Sequence, residues 1–372
     1  MSDLTAPPRS SASPASARVA VIGASGYTGS ELLRLLAHHP RVVVTAVMAR
    51  RAAGQRLVDV FPHLRGHLDL PIEAFDADAV AARADVACCA LPHGESAPIV
   101  AALRARGVVV LDLSADYRLR DAAAWASWYG SAEHPVHPAP ALLADAVYGL
   151  PERHRARLRG AGLVAVPGCY PTASILAVAP LLAAGLVEPR GLVIDGKHGA
   201  SGAGRSPARA THLPEAGEGV RAYKVAGSHR HTAELEQELA LAAGAPLAVL
   251  FTPHLLPMAR GILSCVYASP TAAGAAALAA DPDAARAALA TAYADEPFVD
   301  VLPAGALPDT AHVRGSNRAH VTAVFDRRSE RVLAIAAIDN LVKGAAGQAV
   351  QCLNLALGWP ETTGLLQAAL FP

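Results

Sequence analysis

Short apolar runs alternate with amphipathic stretches through the first half of the chain. The run ARVAVIG is β-branched, ASGYTG follows as a glycine turn, and SELLRLLAHH carries apolar positions at helical spacing until Pro40 closes the unit. A second strand is expected over Val42–Val47, and ADVACCAL, PHGESAPIVAALRARG and VVVLDLS continue the alternation. Strands separated by helical segments predict a mostly parallel sheet covered on both faces.

The second half loses that regularity. Residues 115–151 are irregular and rich in Pro, His and Trp, GLVAVPG supplies a strand, and a helix is expected over Thr172–Gly185. GLVIDG, PLAVLFTPHL, GILSCVYAS, AHVTAVFD and VLAIAAIDN read as further strands, with a helix at Ala280–Ala294. Such a pattern predicts a mixed sheet carrying helices on one face. A last helix, Lys343–Leu357, presents Val350, Leu353 and Leu357 on one side and is expected to pack back on the first domain. The expected divisions are a disordered tail at 1–17, a cofactor-binding domain at 18–168, a catalytic domain at 169–336 and a returning C-terminal segment at 337–372.

Composition narrows the function. A length of 372 residues exceeds what one core usually supports, and 52% hydrophobic residues supply material for two. With 32 basic and 32 acidic residues the net charge is zero, which argues against nucleic acid or an anionic membrane as partner and favours a small anionic substrate. The five cysteines show neither disulfide nor zinc spacing, so a reducing cytoplasm is expected and no metal site. Cys88 and Cys89 read as buried strand.

Gly23, Gly26 and Gly29 lie between the first strand and helix, where glycine lets a pyrophosphate approach the helix N-terminus. A tight turn without ligand has the same local pattern. The second strand ends in MARRAAGQR, with Arg50 and Arg51 where an NAD site usually carries an acid, and Arg56 nearby. Guanidinium groups there suit a 2′-phosphate, so NADP(H) is the expected cofactor.

In AVPGCYPTASILAVAP, Cys169 sits at a helix start, where unpaired amides and the helix dipole favour a thiolate. An inert capping cysteine has the same surroundings. His229 and His231 flank Arg230; if extended, that stretch turns both imidazoles the same way, although at least one has a structural role as its simplest reading. His254 is a weaker candidate. Candidate anion-site residues are Ser114 and Arg118, with Asp116 between them, at a strand end, and Lys197 and Arg205 in a glycine-rich loop that reads equally as a flexible connector.

The blocks GASGYTGSELLRLL, ALPHG, DLSADYR, YGLPE, PGCYPT, SGAGR, HRHTAELEQEL, FTPHLLPMARGI and NLVKGAAGQAVQ run in order from Gly23 to Gln351. Together they resemble the N-acetyl-gamma-glutamyl-phosphate reductases of arginine biosynthesis, and PGCYPT with HRHT discriminates best. The resemblance implies an α/β chain with a Rossmann-type NADP-binding domain, an α+β catalytic domain like that of glyceraldehyde-3-phosphate dehydrogenase, and a returning C-terminal helix. It implies Cys169 as nucleophile, His229 as acid–base residue and His231 beside it. It puts Arg118 on the acyl phosphate and Tyr223 in the same pocket, and with Ser114, Lys197 and Arg205 from the residue pattern these are the expected substrate contacts. Cofactor contacts are implied for Gly23, Ser25, Gly26, Tyr27, Thr28, Gly29, Arg50, Arg51, Pro92 and Asn340, and for Ser201, Gly202 and Gly204, whose loop closes over the reacting centre. A homo-oligomer, dimer or tetramer, also follows only from resemblance. Val166 departs from the family, many of whose members carry Asn before Pro-Gly-Cys.

The expected reaction is reduction of an acyl phosphate through a cysteine thioester, releasing inorganic phosphate. The competing readings are the aminoadipyl-phosphate reductase of lysine biosynthesis, an aspartate-semialdehyde dehydrogenase, a cysteine hydrolase, and a nucleotide-binding regulator without turnover.

Overall fold

The computed structural model describes residues 14–372, so the expected tail at 1–17 lies mostly outside the described residues. The chain forms two compact units, one running through Val166 and including Ala349–Leu365, the other comprising Pro167–Gln348 and Leu366–Pro372.

In the first unit β1 (Ala17–Ile22), β2 (Val42–Met48), β3 (Ile72–Glu73), β4 (Val86–Cys89), β5 (Val109–Asp112), β6 (Ala146–Tyr148) and β7 (Leu163–Ala165) form one sheet. Its order is β3-β2-β1-β4-β5-β7-β6 and every pairing is parallel. The helices are α1 (Tyr27–Leu36), α2 (Leu57–Val60), α3 (Ala77–Arg83), α4 (Ser96–Arg104), α5 (Ala122–Tyr129) and α6 (Pro151–Leu158). Every position of β4 and β5 is buried, which explains the apolar run of β4 and that of β5 up to Asp112. The chain reverses its direction of sheet growth between β1 and β4, so the start of α1 lies where open α/β sheets place ligands.

The second unit holds α7 (Cys169–Ala183), β8 (Leu192–Gly199), α8 (Leu213–Ala216), β9 (Arg221–Ala222), α9 (His231–Ala243), β10 (Val249–Leu256), β11 (Ile262–Ala268), α10 (Ala272–Ala280), α11 (Ala284–Ala292), β12 (Val299–Val301), β13 (Ala319–Asp326) and β14 (Arg331–Ile338). Its sheet is mixed, in the order β12-β13-β14-β11-β8-β10-β9. Strand alternation divides its residues cleanly. Gly196 and Ser264 are cross-strand neighbours, and the Ser264 hydroxyl hydrogen-bonds Ser174 of α7 at 2.8 Å, which marks the helix-covered face. The opposite face carries a row from Leu250 through Val193, Tyr267 and Leu333 to Val324.

Several boundaries differ from expectation. The helix expected from Thr172 begins at Cys169, because Gly168 takes the cap and Pro171 is tolerated in a first turn. The helix expected at Ala280–Ala294 is the shorter α11, Ala284–Ala292, and a separate helix that was not expected, α10, precedes it and ends at Ala280 before Asp281-Pro282-Asp283. The helix expected from Lys343 opens as a π-helical turn, Val342–Ala346, and becomes α12 (Gly347–Ala356) only afterwards. The segment joining the first unit is Ala349–Leu365, not all of 337–372, since Ile338 still belongs to β14, which pairs along its length with β11 and β13. Likewise the first unit ends at Val166, before the cap of α7, rather than at 168. Strands β3, β6, β9 and β12 are two or three residues long and leave no periodic signal.

Candidate active site

In the second unit the site is built around the start of α7. The helix is 15 residues long and buried on nearly all sides, with Gly168 as its cap and Cys169, partly exposed, as its first residue. Aligned peptide dipoles favour negative charge at this position. The Gly168 N–H donates to Glu234 Oε1 at 2.7 Å, and Glu234 is fully buried in the first turn of α9. Gly344 approaches from the π-helical turn: a Cβ there would stand 2.8 Å from the Cβ of Cys169.

Tyr170 lies across Gly196, where a side chain would collide with its ring. Its hydroxyl, with one proton to give, lies 3.2 Å from the His254 carbonyl oxygen, 3.3 Å from that of Gly196 and within hydrogen-bonding reach of the Tyr223 hydroxyl. Around it stand the rings of Phe251, His198, His229 and His231, with centroids 5.0, 5.2, 6.0 and 6.2 Å away. Tyr223 is 5.6 Å from both His198 and His229 by ring centroids. The structure thus gathers Tyr223, His229 and His231 with Tyr170, the residue that follows Cys169.

The two histidines meet for a different reason from the one expected. Arg230 is helical, not extended, and Thr232 N–H bonds the His229 carbonyl in a turn that leads into α9. That turn brings the two rings to 4.8 Å and lets the His231 N–H donate to His229 Nδ1 at 3.1 Å. Burial pushes the His229 pKa down to about 4, assisted by the charges of Lys224, His198 and Arg230. Its ring is therefore neutral at pH 7, with its proton on Nε2.

Lys197 does not join this group. Alternation along β8 sends it to the open face, where Nζ pairs with Asp195 at 2.5 Å and Asp195 also meets His254 Nδ1 at 3.1 Å. His198, one residue on, faces α7 instead; period-2 reasoning on KHG would have found it once the buried face was known. Arg205 is exposed, as are Gly202 and Gly204. Asn340 is buried, accepting from Gly261 N–H at 2.8 Å and donating to Ser201 Oγ at 3.0 Å, so its amide ties two loops together.

The first unit carries the glycine turn. Gly23 has φ +82°, and a Cβ on it would overlap the Ala90 carbonyl; a Cβ on Gly29 would stand 2.6 Å from the Gly23 oxygen. The fold itself requires both glycines. A Cβ on Gly26 would meet nothing nearer than 3.7 Å, so this helix cap lacks a side chain for no internal reason. The bare approach to the α1 amides fits a pyrophosphate. Ser25 and Thr28 are half-buried beside it and Tyr27 is exposed; Pro92 is exposed after β4. Arg50 and Arg51 are exposed just beyond β2, while Arg56 pairs with Asp69.

Ser114 and Arg118 are engaged internally. Ser114 is buried and donates to Asp112 Oδ2 at 2.6 Å, and Ser96 donates to the other oxygen at 2.6 Å. Burial, together with the Asp116 charge, raises the Asp112 pKa to about 6. Arg118 donates through Nε to the Val166 carbonyl at 2.8 Å and through Nη2 to the Leu113 carbonyl at 2.9 Å. Those contacts brace the strand end before Pro167.

Comparison with known proteins follows this division. Residues 18–161 match the family model "Semialdehyde dehydrogenase, NAD binding domain", and residues 169–340 match "Semialdehyde dehydrogenase, dimerisation domain". Similar folds include aspartate semialdehyde dehydrogenase II from Vibrio cholerae complexed with ASA, at TM-score 0.68 and 18% identity over 92% of this chain and 98% of that one. Another is the aspartate semialdehyde dehydrogenase with NADP from Candida albicans, at TM-score 0.65 and 15% identity over 92% and 98% of the two chains. Sequence relatives are far nearer. The N-acetyl-gamma-glutamyl-phosphate reductase of Citrifermentans bemidjiense is 49% identical over 355 residues, 95% of this chain and 99% of its own length. That of Rhodospirillum rubrum is 51% identical over 362 residues, 95% and 98% of the two lengths. By sequence over nearly its whole length, this chain belongs to the N-acetyl-gamma-glutamyl-phosphate reductase family.

Proposed function

We propose that this chain catalyses the NADPH-dependent reductive dephosphorylation of N-acetyl-L-glutamyl 5-phosphate to N-acetyl-L-glutamate 5-semialdehyde, the third step of arginine biosynthesis, through a thioester on Cys169. The observation that carries the reading is a cysteine at the first position of a buried helix, beside a cluster of two tyrosines and three histidines. The thiolate attacks the acyl carbon, a C–S bond forms, and the bond to phosphate breaks with its electron pair leaving on phosphate. Bound NADPH supplies the hydride that reduces the thioester carbon. Neutral His229 faces the negative charge that develops on the hemithioacetal oxygen, and its Nε2–H donates to that oxygen. Collapse of the hemithioacetal breaks the C–S bond and restores the thiolate.

Preference for NADPH over NADH is supported by exposed Arg50 and Arg51 beyond β2 and by the lack of an acid between that strand and Asp59. The oligomer we propose is a homodimer or larger, meeting through the open face of the second sheet. Leu250, Tyr267 and Val324 lie in one row there and are 54%, 38% and 44% exposed. We place the enzyme in the cytoplasm, where thiols stay reduced; none of its five cysteines is in a disulfide.

The deciding assay is reduction of NADP⁺ by the semialdehyde with and without inorganic phosphate. Absence of phosphate dependence would end the acyl-phosphate reading. Comparing glutamyl, aminoadipyl and aspartyl phosphates then fixes the substrate, since one methylene is worth only about 1–3 kcal/mol in a pocket.

A further inference from the structure

His198 is a buried histidine to which neither the sequence pattern nor the mechanism above gives a role. It ends β8 on the helix-covered face, and its Nδ1 lies 2.6 Å from the carbonyl of Gly199. A carbonyl only accepts, so Nδ1 carries the proton. Burial lowers the ring's pKa, which leaves it neutral and leaves Nε2 an acceptor. Tyr223 Oη stands 2.7 Å from that Nε2 and must be the donor.

We infer that His198 is a positioning residue for the reaction proposed above: its Nε2 accepts a hydrogen bond from the Tyr223 hydroxyl and thereby fixes which way that phenol points in the Cys169 cluster. The consequence is directional. With its single proton committed to His198, Tyr223 offers only lone pairs to other neighbours, among them the hydroxyl of Tyr170. Tyr223 is then an acceptor in the site, and proton donation rests with His229.

Two further contacts make the arrangement specific to this position. A Cβ on Gly202 would stand 2.6 Å from His198 Nδ1, and Tyr223 N–H bonds the Pro253 carbonyl at 3.1 Å. The ring thus touches both ends of the mostly exposed excursion between residues 203 and 222. The titratable groups facing it are Tyr170 from α7, Tyr223 from the segment after β9, and His229 before α9.

The test separates the two ring nitrogens. Glutamine can place its amide oxygen near Nε2, whereas asparagine reaches only the Nδ1 position. We expect His198→Asn to lower kcat on the order of tenfold with KM changed less than about twofold, and His198→Gln to recover most of the loss. The pH profile of iodoacetamide reaction at Cys169 should shift equally in His198→Asn and Tyr223→Phe, and the double variant should match Tyr223→Phe alone. Equal impairment by Gln and Asn, or additive losses in the double variant, would overturn the inference and leave His198 a support for the end of β8. The alkylation arm needs no substrate. A wild-type enzyme inert with acyl phosphate would therefore defeat the proposed reaction while the His198 question is still decided.

Discussion

The two units each contain a strand, a glycine and a helix, and the two helix starts differ in what surrounds them rather than in local design. α1 is capped by Gly26 and α7 by Gly168, and neither cap makes a side-chain hydrogen bond. At α1 the backbone crowds two of the three glycines and leaves the third bare, an arrangement suited to an anion approaching from outside. At α7 the cap N–H is taken by Glu234, Pro171 contributes no donor, and the first residue is a cysteine wedged beside Gly344. One helix end is shaped to receive negative charge; the other is shaped to hold it on a side chain.

The largest effect should come from exchanging the charge-bearing atom at α7. Cys169→Ser should lower turnover by at least about 10³-fold while NADPH still binds, because a hydroxyl ionises far less readily than a thiol. Intact mass spectrometry of wild type with acyl phosphate and no NADPH should show an acyl adduct mapping to Cys169. Full activity in the serine variant would remove covalent catalysis from the mechanism.

Next come the glycines of α1, which the comparison predicts to be unequal. Gly23→Ala forces a positive φ and an overlap with the Ala90 carbonyl, and should cost about 3 kcal/mol or more in stability. Gly26→Ala should melt close to wild type and instead weaken NADPH binding, on the order of tenfold, since its added methyl faces only the ligand's approach. Thermal melts with and without NADPH distinguish the two. Equal destabilisation would mean that Gly26 also serves the fold.

What the sequence showed, and what it hid, follows the same division. Much of the first unit was legible because β1, α1, β2, β4, α4 and β5 announce themselves locally, whereas β3 and β6 are too short to leave a pattern and α5 lies in a stretch that reads as irregular. Glu234 and His198 were not legible. Glu234 sits in a polar helical run that reads as solvated surface, and only the packing of α9 on α7 buries it beneath Gly168. His198 and Lys197 are adjacent, and choosing between them requires knowing which face of β8 the helices cover. Ser114 and Arg118 have suitable chemistry at a strand end, but their hydrogen bonds to Asp112 and to the Val166 and Leu113 carbonyls depend on tertiary packing that local sequence does not announce.

A titration of each unit should also separate them. The His229 pKa lies near 4, below the ordinary value of 6.5, so between these pH values the unfolded chain binds the extra proton and stability falls as pH falls. Asp112 is raised to about 6 from 3.8, so its contribution runs the other way, falling as pH rises through that window. Relative to wild type, His229→Asn should lose an acid-side decline on the order of 3 kcal/mol between pH 6.5 and 4. Asp112→Asn should change the slope with opposite sign. Urea unfolding across pH measures both, and parallel curves for wild type and His229→Asn would show that the imidazole titrates normally.

The smallest effect tests the contact that most sets α7 apart from α1. Removing the Glu234 carboxylate leaves the buried Gly168 N–H without its 2.7 Å acceptor, which should cost about 1–3 kcal/mol. Glutamine keeps an oxygen in the same place, so Glu234→Gln should regain most of the stability lost in Glu234→Ala. Activity sharpens the reading, because Gly168 sets the direction in which Cys169 leaves the helix start. If the hydrogen bond alone matters, kcat should fall in the alanine variant and recover with glutamine. Recovery of stability without recovery of kcat would instead assign the carboxylate's charge an influence on Cys169, making this helix end a balance between the dipole that favours a thiolate and a buried anion that opposes it.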